Sequence, residues 1–142
     1  MVVESFRRWT GRDLLGSNTT GLPDSELARR LYEAPFVVVS HGIENDPVLN
    51  YGNQAALERW EMKWEIFTQT PSRFTAEAPN REERARLLDE VSRHGFIANY
   101  AGIRISSTGK RFRITGAIVW NLVASTEQPA GQAATFDRWD EM

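Results

Sequence analysis

The chain has no cysteine, which rules out disulfides, thiolate metal ligands, cysteine nucleophiles and a flavin–cysteinyl photoadduct. Histidine is scarce: there are two, His41 and His94, and neither belongs to an HExxH motif or any other close ligand spacing, so a metal site is not expected. No apolar run approaches the roughly 20 residues of a membrane-spanning helix, and a membrane partner is not expected. No secretory leader pattern is visible, which makes the cytoplasm the expected compartment. Charge of either sign is also nearly balanced, at −2 overall, so nothing electrostatic calls for nucleic acid as a partner. There is no internal repeat or low-complexity tract. The remainder is an ordinary folding composition, 41% hydrophobic over 142 residues, enough for one domain with a real core.

Gly95–Ser125 holds no acidic residue and is the most organised stretch. Two strand-like segments flank the turn SSTGK. Phe112, Ile114, Ile118, Trp120 and Leu122 recur at spacings of two or four, with Gly116 in the gap, and this predicts one face of a half-buried antiparallel strand. The opposite face carries Arg111, Arg113, Thr115, Val119 and Asn121. On the preceding strand, Asn99, Ala101, Ile103 and Ile105 share one parity; Tyr100, Arg104 and Ser106 share the other. The isoleucine face is expected to meet the helices, which brings Asn99 inward. Arg104, Lys110, Arg111 and Arg113 then form a basic outer patch, free of local acid, suited to an acidic partner protein or an anionic ligand.

Upstream, residues 1–33 read as a helical arm. Val2–Trp9 is amphipathic, GSNTTGLP is a connector, and Pro23 with Asp24 and Glu26 opens a helix running to about Tyr32. Residues 34–142 read as the compact remainder. Phe36–His41 is a strand whose three successive valines indicate burial on both faces. Ala56, Trp60, Trp64 and Phe67 form one helical stripe, with Asn53 placed to cap its start. Asn80 and Glu83 have capping-box spacing for a helix that buries Leu87, Leu88 and Val91 and stops at Gly95. Gln132–Phe136 closes the sheet, and Trp139 packs beyond it.

Several side chains can carry a ligand or simply hold the fold. His41 ends the first strand and is able to bond a ligand or cap its loop, with Asp46 as a loop partner. Asn50, Tyr51 and Asn53 form a polar–aromatic cluster suited to a pocket mouth or to loop capping. Asn99, Asn121 and Gln132 need partners if buried. Trp60 and Trp120 are core residues by pattern, although an aromatic cage would look the same. An enzyme of isomerase or dehydratase type would need His41 beside Glu77 or Asp46, but no compact catalytic signature is present. Leu14, Leu15, Leu27 and Leu31 form an apolar strip that admits a homodimer.

The phrases VVVSHGIENDPVLNYGNQAALERWEMKWEIF, PSRFTAEAPNREER, YAGIRISSTGKRFRITGAIVWNL and GQAATF occur in this order over nearly the whole chain. Together they resemble the MEKHLA domain, a module related to PAS domains. The resemblance implies an α+β fold: a PAS-like antiparallel sheet with helices packed on one face and an N-terminal helical arm. Asn53 and Ala56 match the Asn and Ala usual in PAS sequences after the early strands. It further implies a sensory or regulatory role, with a small ligand between helices and sheet, a regulatory protein partner or a homodimer, while the cofactor stays unknown. A ligand-free interaction domain is the alternative. The chain has no homeodomain or zipper, so DNA binding does not carry over.

Overall fold

The computed structural model describes residues 1–16 and 19–142; Ser17 and Asn18 of the connector lie outside the described residues. A six-stranded antiparallel sheet runs in the order β2 (Leu49–Gly52), β1 (Val37–His41), β5 (Pro129–Phe136), β4 (Arg111–Val123), β3 (Phe96–Ile105). The sixth strand, β6 (Arg138–Glu141), pairs with the first half of β4, whereas β5 pairs with its second half. The strands β2 and β6 were not foreseen. Each spans four residues and is largely polar or loop-like in composition, so neither shows a strand period in sequence.

Helices α3 (Gln54–Trp60), α4 (Trp64–Phe67) and α5 (Ala78–His94), with a 3-10 turn at Ser72–Thr75, cover one face of the sheet. Trp60 is the hub of this inner core. Its ring meets Phe112 and Phe136 edge-on at 5.3 and 6.0 Å, contacts worth about 1 kcal/mol each beyond their burial. The expected single stripe through Trp64 is broken, because Glu61 turns left-handed at φ 58 and ends α3. Trp64 consequently lands at the surface, 38% exposed, although Phe67 returns to the core. Asn80 is not a cap either: α5 begins earlier, with Glu77 at the cap position and proline in the first turn, where its fixed φ suits the helix.

The arm lies on the other face. Helix α1 (Val2–Thr10) seats Phe6 edge-on against Trp120 at 5.0 Å, over Leu122 and Ala133. Trp9 donates from Nε1 to the Asn121 carbonyl at 2.9 Å. A Cβ on Gly95 would stand 2.5 Å from the Trp9 ring, and its φ of 95 independently favours glycine, so this C-cap also makes room for the arm. Helix α2 (Asp24–Tyr32) ends with Leu31 buried, its carbonyl bonded to Asn53.

Two bulges reverse the expected faces of the long hairpin. β3 pairs Ile97 with Val119, Tyr100 with Ala117 and Gly102 with Ile114, so one residue is added first on β3 and then on β4. Asn99 (φ 58) and Gly116 (φ 64) occupy the left-handed positions, which Asn and Gly adopt at least cost. Each insertion moves the following residues to the other face. Asn99 is therefore exposed, not buried. Tyr100 and Arg104 point inward in place of Ile103 and Ile105, and Arg104 is 6% exposed. On β4, Phe112 and Ile114 face the helices, but Trp120 lies on the outer face beneath α1.

Candidate functional site

The space between α5 and the sheet contains a cavity of about 60 Å³. That is enough space to hold ordered water beside polar walls. Its walls bring together His41 from β1, Arg84 from α5, Tyr100 and Arg104 from β3, and Gln132 from β5. No Asp or Glu lines it among the described residues.

The inward run Tyr100–Gly102–Arg104 builds one wall. Arg104 donates from Nη2 to the Tyr100 hydroxyl at 3.1 Å and from Nη1 to the Ile103 carbonyl at 2.9 Å. The Tyr100 hydroxyl in turn donates to Glu83 at 2.9 Å. Gly102 is required there because an added Cβ would strike the Tyr100 oxygen and stand 3.0 Å from Arg104 Nη1. Burial is the main influence on Tyr100 and raises its pKa.

Arg84 lies one helical turn before Leu87 and Leu88 on the same face of α5. It forms no ion pair among the described residues, and burial, reinforced by the Arg104 charge, pushes its pKa down to about 10. His41 places Nδ1 3.0 Å from the Gly42 carbonyl, so in the neutral ring Nδ1 carries the proton. Nε2 is buried without a hydrogen-bond partner. The Gln132 side chain lies near the ring and favours its proton, but burial dominates and the Arg84 charge adds to it, so the His41 pKa falls below its ordinary value.

The other candidates fall elsewhere. Gln132 Nε2 donates to the Leu88 carbonyl at 2.9 Å and to Asn121 Oδ1 at 3.2 Å, and Asn121 Nδ2 donates to the Val91 carbonyl at 2.8 Å. These two amides pin the end of α5 to the sheet. Asn53 is fully occupied, with Oδ1 accepting from Val38 and Ala56 N–H and Nδ2 donating to the Leu31 and Phe36 carbonyls. Asn50 is exposed at the sheet edge, accepting from Ser40 Oγ at 2.6 Å. Tyr51 packs edge-on with Trp64 at 5.7 Å and lines a groove beside α1 and α2. Trp60 reaches the cavity; Trp120 and Asn99 do not, and Asn99 instead borders an open groove on the outer face.

The expected basic outer patch is dismantled. Arg104 is inside, Lys110 pairs with Glu61 at 3.1 Å, and Arg111 pairs with Glu77 at 2.5 Å. These acids are distant in sequence and reach the hairpin through the fold. Arg113 is exposed on β4. Asp46 pairs with Arg73 at 3.1 Å rather than with His41, so neither acid considered for an enzyme lines the cavity at His41. His94 sits exposed in the last turn of α5, and among the described residues no three of His, Asp and Glu cluster for a metal. Arg84 and the inward Tyr100 were missed as site residues. Gly102, between Tyr100 and Arg104 in a strand interior, is the signal that could have found that wall, since such a glycine often marks close packing.

A six-stranded antiparallel sheet with a small cavity under its helical layer is a PAS-like arrangement, and solved structures share the fold. The PAS domain of a Colwellia psychrerythraea protein superposes with a TM-score of 0.68 at 10% identity, covering 83% of this chain and 95% of that one. An RNA-binding light-oxygen-voltage receptor gives 0.70 at 12% identity, over 88% of this chain and 36% of the other. The MEKHLA domain model matches residues 1–141, and the chain belongs to that family. Relatives include the homeobox-leucine zipper proteins ATHB-9 of Arabidopsis thaliana, 23% identical, and HOX32 of Oryza sativa subsp. indica, 22% identical, each over 97% of this chain. The chain spans only 17% and 16% of their respective lengths.

Another similar structure, a light-oxygen-voltage domain studied with a flavin analogue, has a TM-score of 0.64 at 12% identity over 84% of this chain and 86% of that one. A flavin does not fit the residues present here. The cavity of about 60 Å³ is far below the roughly 300 Å³ or more of pockets for ligands of that size, and without cysteine no flavin–cysteinyl adduct could form. Among the described residues, no helix is long and apolar enough to cross a membrane.

Proposed function

We propose that the chain is a PAS-like sensory or regulatory module that binds a small ligand in the cavity between α5 and the sheet. The observation that carries this reading is the set of polar side chains turned into that cavity, with His41 Nε2 left without a partner. Buried polar atoms are normally satisfied, and an orphan in a cavity marks a place for water or ligand. A ligand drawing Arg84 inward would act on α5, whose far end is tied through Gln132 to Asn121. The Asn121 carbonyl holds Trp9 of the arm. Occupancy would thus bias how residues 1–33 sit on the body formed by 34–142, and uncovering Trp120 would offer a surface to a regulatory protein or a second copy. The ligand must bind the two arm positions unequally for this to work.

The small cavity favours a second reading, a packed-core interaction domain acting without ligand. Native mass spectrometry of protein purified from its own host, with an absorbance spectrum, separates the two. A stoichiometric small molecule released on denaturation supports the sensory module; bare polypeptide mass, together with no response to added small molecules, supports the interaction domain.

A further inference from the structure

Arg84 and Arg104 share one small cavity that no carboxylate enters among the described residues. Buried charges in proteins are ordinarily paired, because an isolated one forfeits several kcal/mol of hydration. Here a buried guanidinium, Arg104, stands beside a partly exposed one, Arg84. Arg104 reaches Glu83 only through the Tyr100 hydroxyl, and Arg84 forms no ion pair among the described residues. Gly102 lets Tyr100 and Arg104 fold over the strand, so the arrangement is accommodated by the backbone. What the cavity lacks is a negative charge.

We propose that this cavity is a receptor for a small planar oxyanion of the carboxylate class, clasped by Arg84 and Arg104 with His41 facing it. This rests on the ligand-binding reading above and adds the chemistry of the ligand. A guanidinium presents parallel N–H donors that match two oxygens on one carbon. The volume of about 60 Å³ suits an ion the size of acetate or bicarbonate better than an aromatic acid. A ligand hydroxyl can donate to neutral His41 Nε2; alternatively, a protonated His41 donates to the anion.

The test uses the full chain, dialysed free of carboxylates, in chloride at fixed ionic strength. Acetate, bicarbonate and benzoate are titrated by calorimetry and thermal melting, with ¹³C-acetate line broadening as a direct measure of binding. Saturable binding of acetate or bicarbonate with no response to benzoate is expected, and whichever binds identifies the source of the oxyanion. Arg84→Gln and Arg104→Gln should each weaken binding at least tenfold. Arg84→Gln should also raise the melting midpoint without ligand, by relieving the like charges. If the glutamine variants do not fold, Arg84→Lys, which keeps the charge and loses the fork, should still weaken acetate binding. Equal responses to benzoate and acetate, or unchanged affinity in the variants, would overturn the proposal. Inert anions alongside a co-purified neutral molecule would sink the oxyanion and leave the sensory module standing; inert anions with bare protein would remove both.

Discussion

Replacing Asn53 with alanine tests how its helix is held more sharply than any other single change. The side chain is 0% exposed and makes four hydrogen bonds to backbone groups of Val38, Ala56, Leu31 and Phe36. Truncation orphans the Val38 and Ala56 N–H groups and the partly buried Phe36 carbonyl, and leaves the Leu31 carbonyl only the long 3.4 Å bond from Ala34 N–H. An unsatisfied buried group costs about 1–3 kcal/mol, and with partial relaxation the sum is about 4 kcal/mol. That is a large share of the roughly 5–15 kcal/mol that stabilises a domain. In urea, with a slope of about 1.5 kcal/mol per molar, the midpoint should fall by roughly 2–3 M at unchanged slope. Asn53→Asp separates the roles. Aspartate caps a helix as well as asparagine, yet it cannot donate to Leu31 and Phe36 and would face their carbonyls with a negative charge. It should be nearly as damaging as alanine. An Asp variant within about 0.5 kcal/mol of the parent would show that capping is all Asn53 does.

Lowering the pH should expose the buried imidazole. Burial holds the folded-state pKa of His41 below 6.5, so the unfolded chain binds the extra proton first. Its neutral form contributes stability that is complete above about pH 6.5 and is lost as pH falls through the folded value. Urea midpoints followed across that window should flatten in His41→Gln by up to about 1.4 kcal/mol per pH unit; an unchanged slope would contradict the burial of the ring. Phe6→Ala removes the arm's main contact with Trp120, which is 0% exposed. It should cost about 3–4 kcal/mol, and tryptophan emission should shift to the red; unchanged emission and stability would mean that the arm does not seal the outer face. Gly102→Ala drives a methyl into the Tyr100 hydroxyl and should destabilise by about 1–3 kcal/mol, read by thermal melting. A neutral result would mean that Tyr100 and Arg104 move aside freely.

The strands with a clean apolar signal, the arm helices, α5 and the capping position of Asn53 were legible because each depends on local spacing or local hydrogen bonding. The faces of the hairpin were not. Counting by two carries the wrong parity past any bulge, and Asn99 and Gly116 read as an interior amide and a gap rather than as inserted residues. Trp120 was placed under the helices for that reason, and Arg104 was placed in solvent. Arg84 was invisible for a different reason: an arginine on a helix is normally solvated, and only the sheet, closing from the other side, partly covers it. The acids that neutralise Lys110 and Arg111 are far away along the chain, so an apparently acid-free stretch was no guide to the charge of the folded surface.

The bulge at Gly116 also partitions β4 by how many neighbours constrain it. Beyond the bulge, Val119 is buried under the helices while Trp120 and Leu122 are buried under the arm. Before it, Phe112 and Ile114 are buried while Arg111 and Arg113 stand exposed. The strand's second half is therefore locked on both sides, so a substitution there must satisfy two packing environments at once. Its first half is locked on one side only. On that half a change of charge on the open side, as at Arg113, leaves both cores undisturbed, so one strand joins a segment bound by packing to a segment free to present surface chemistry.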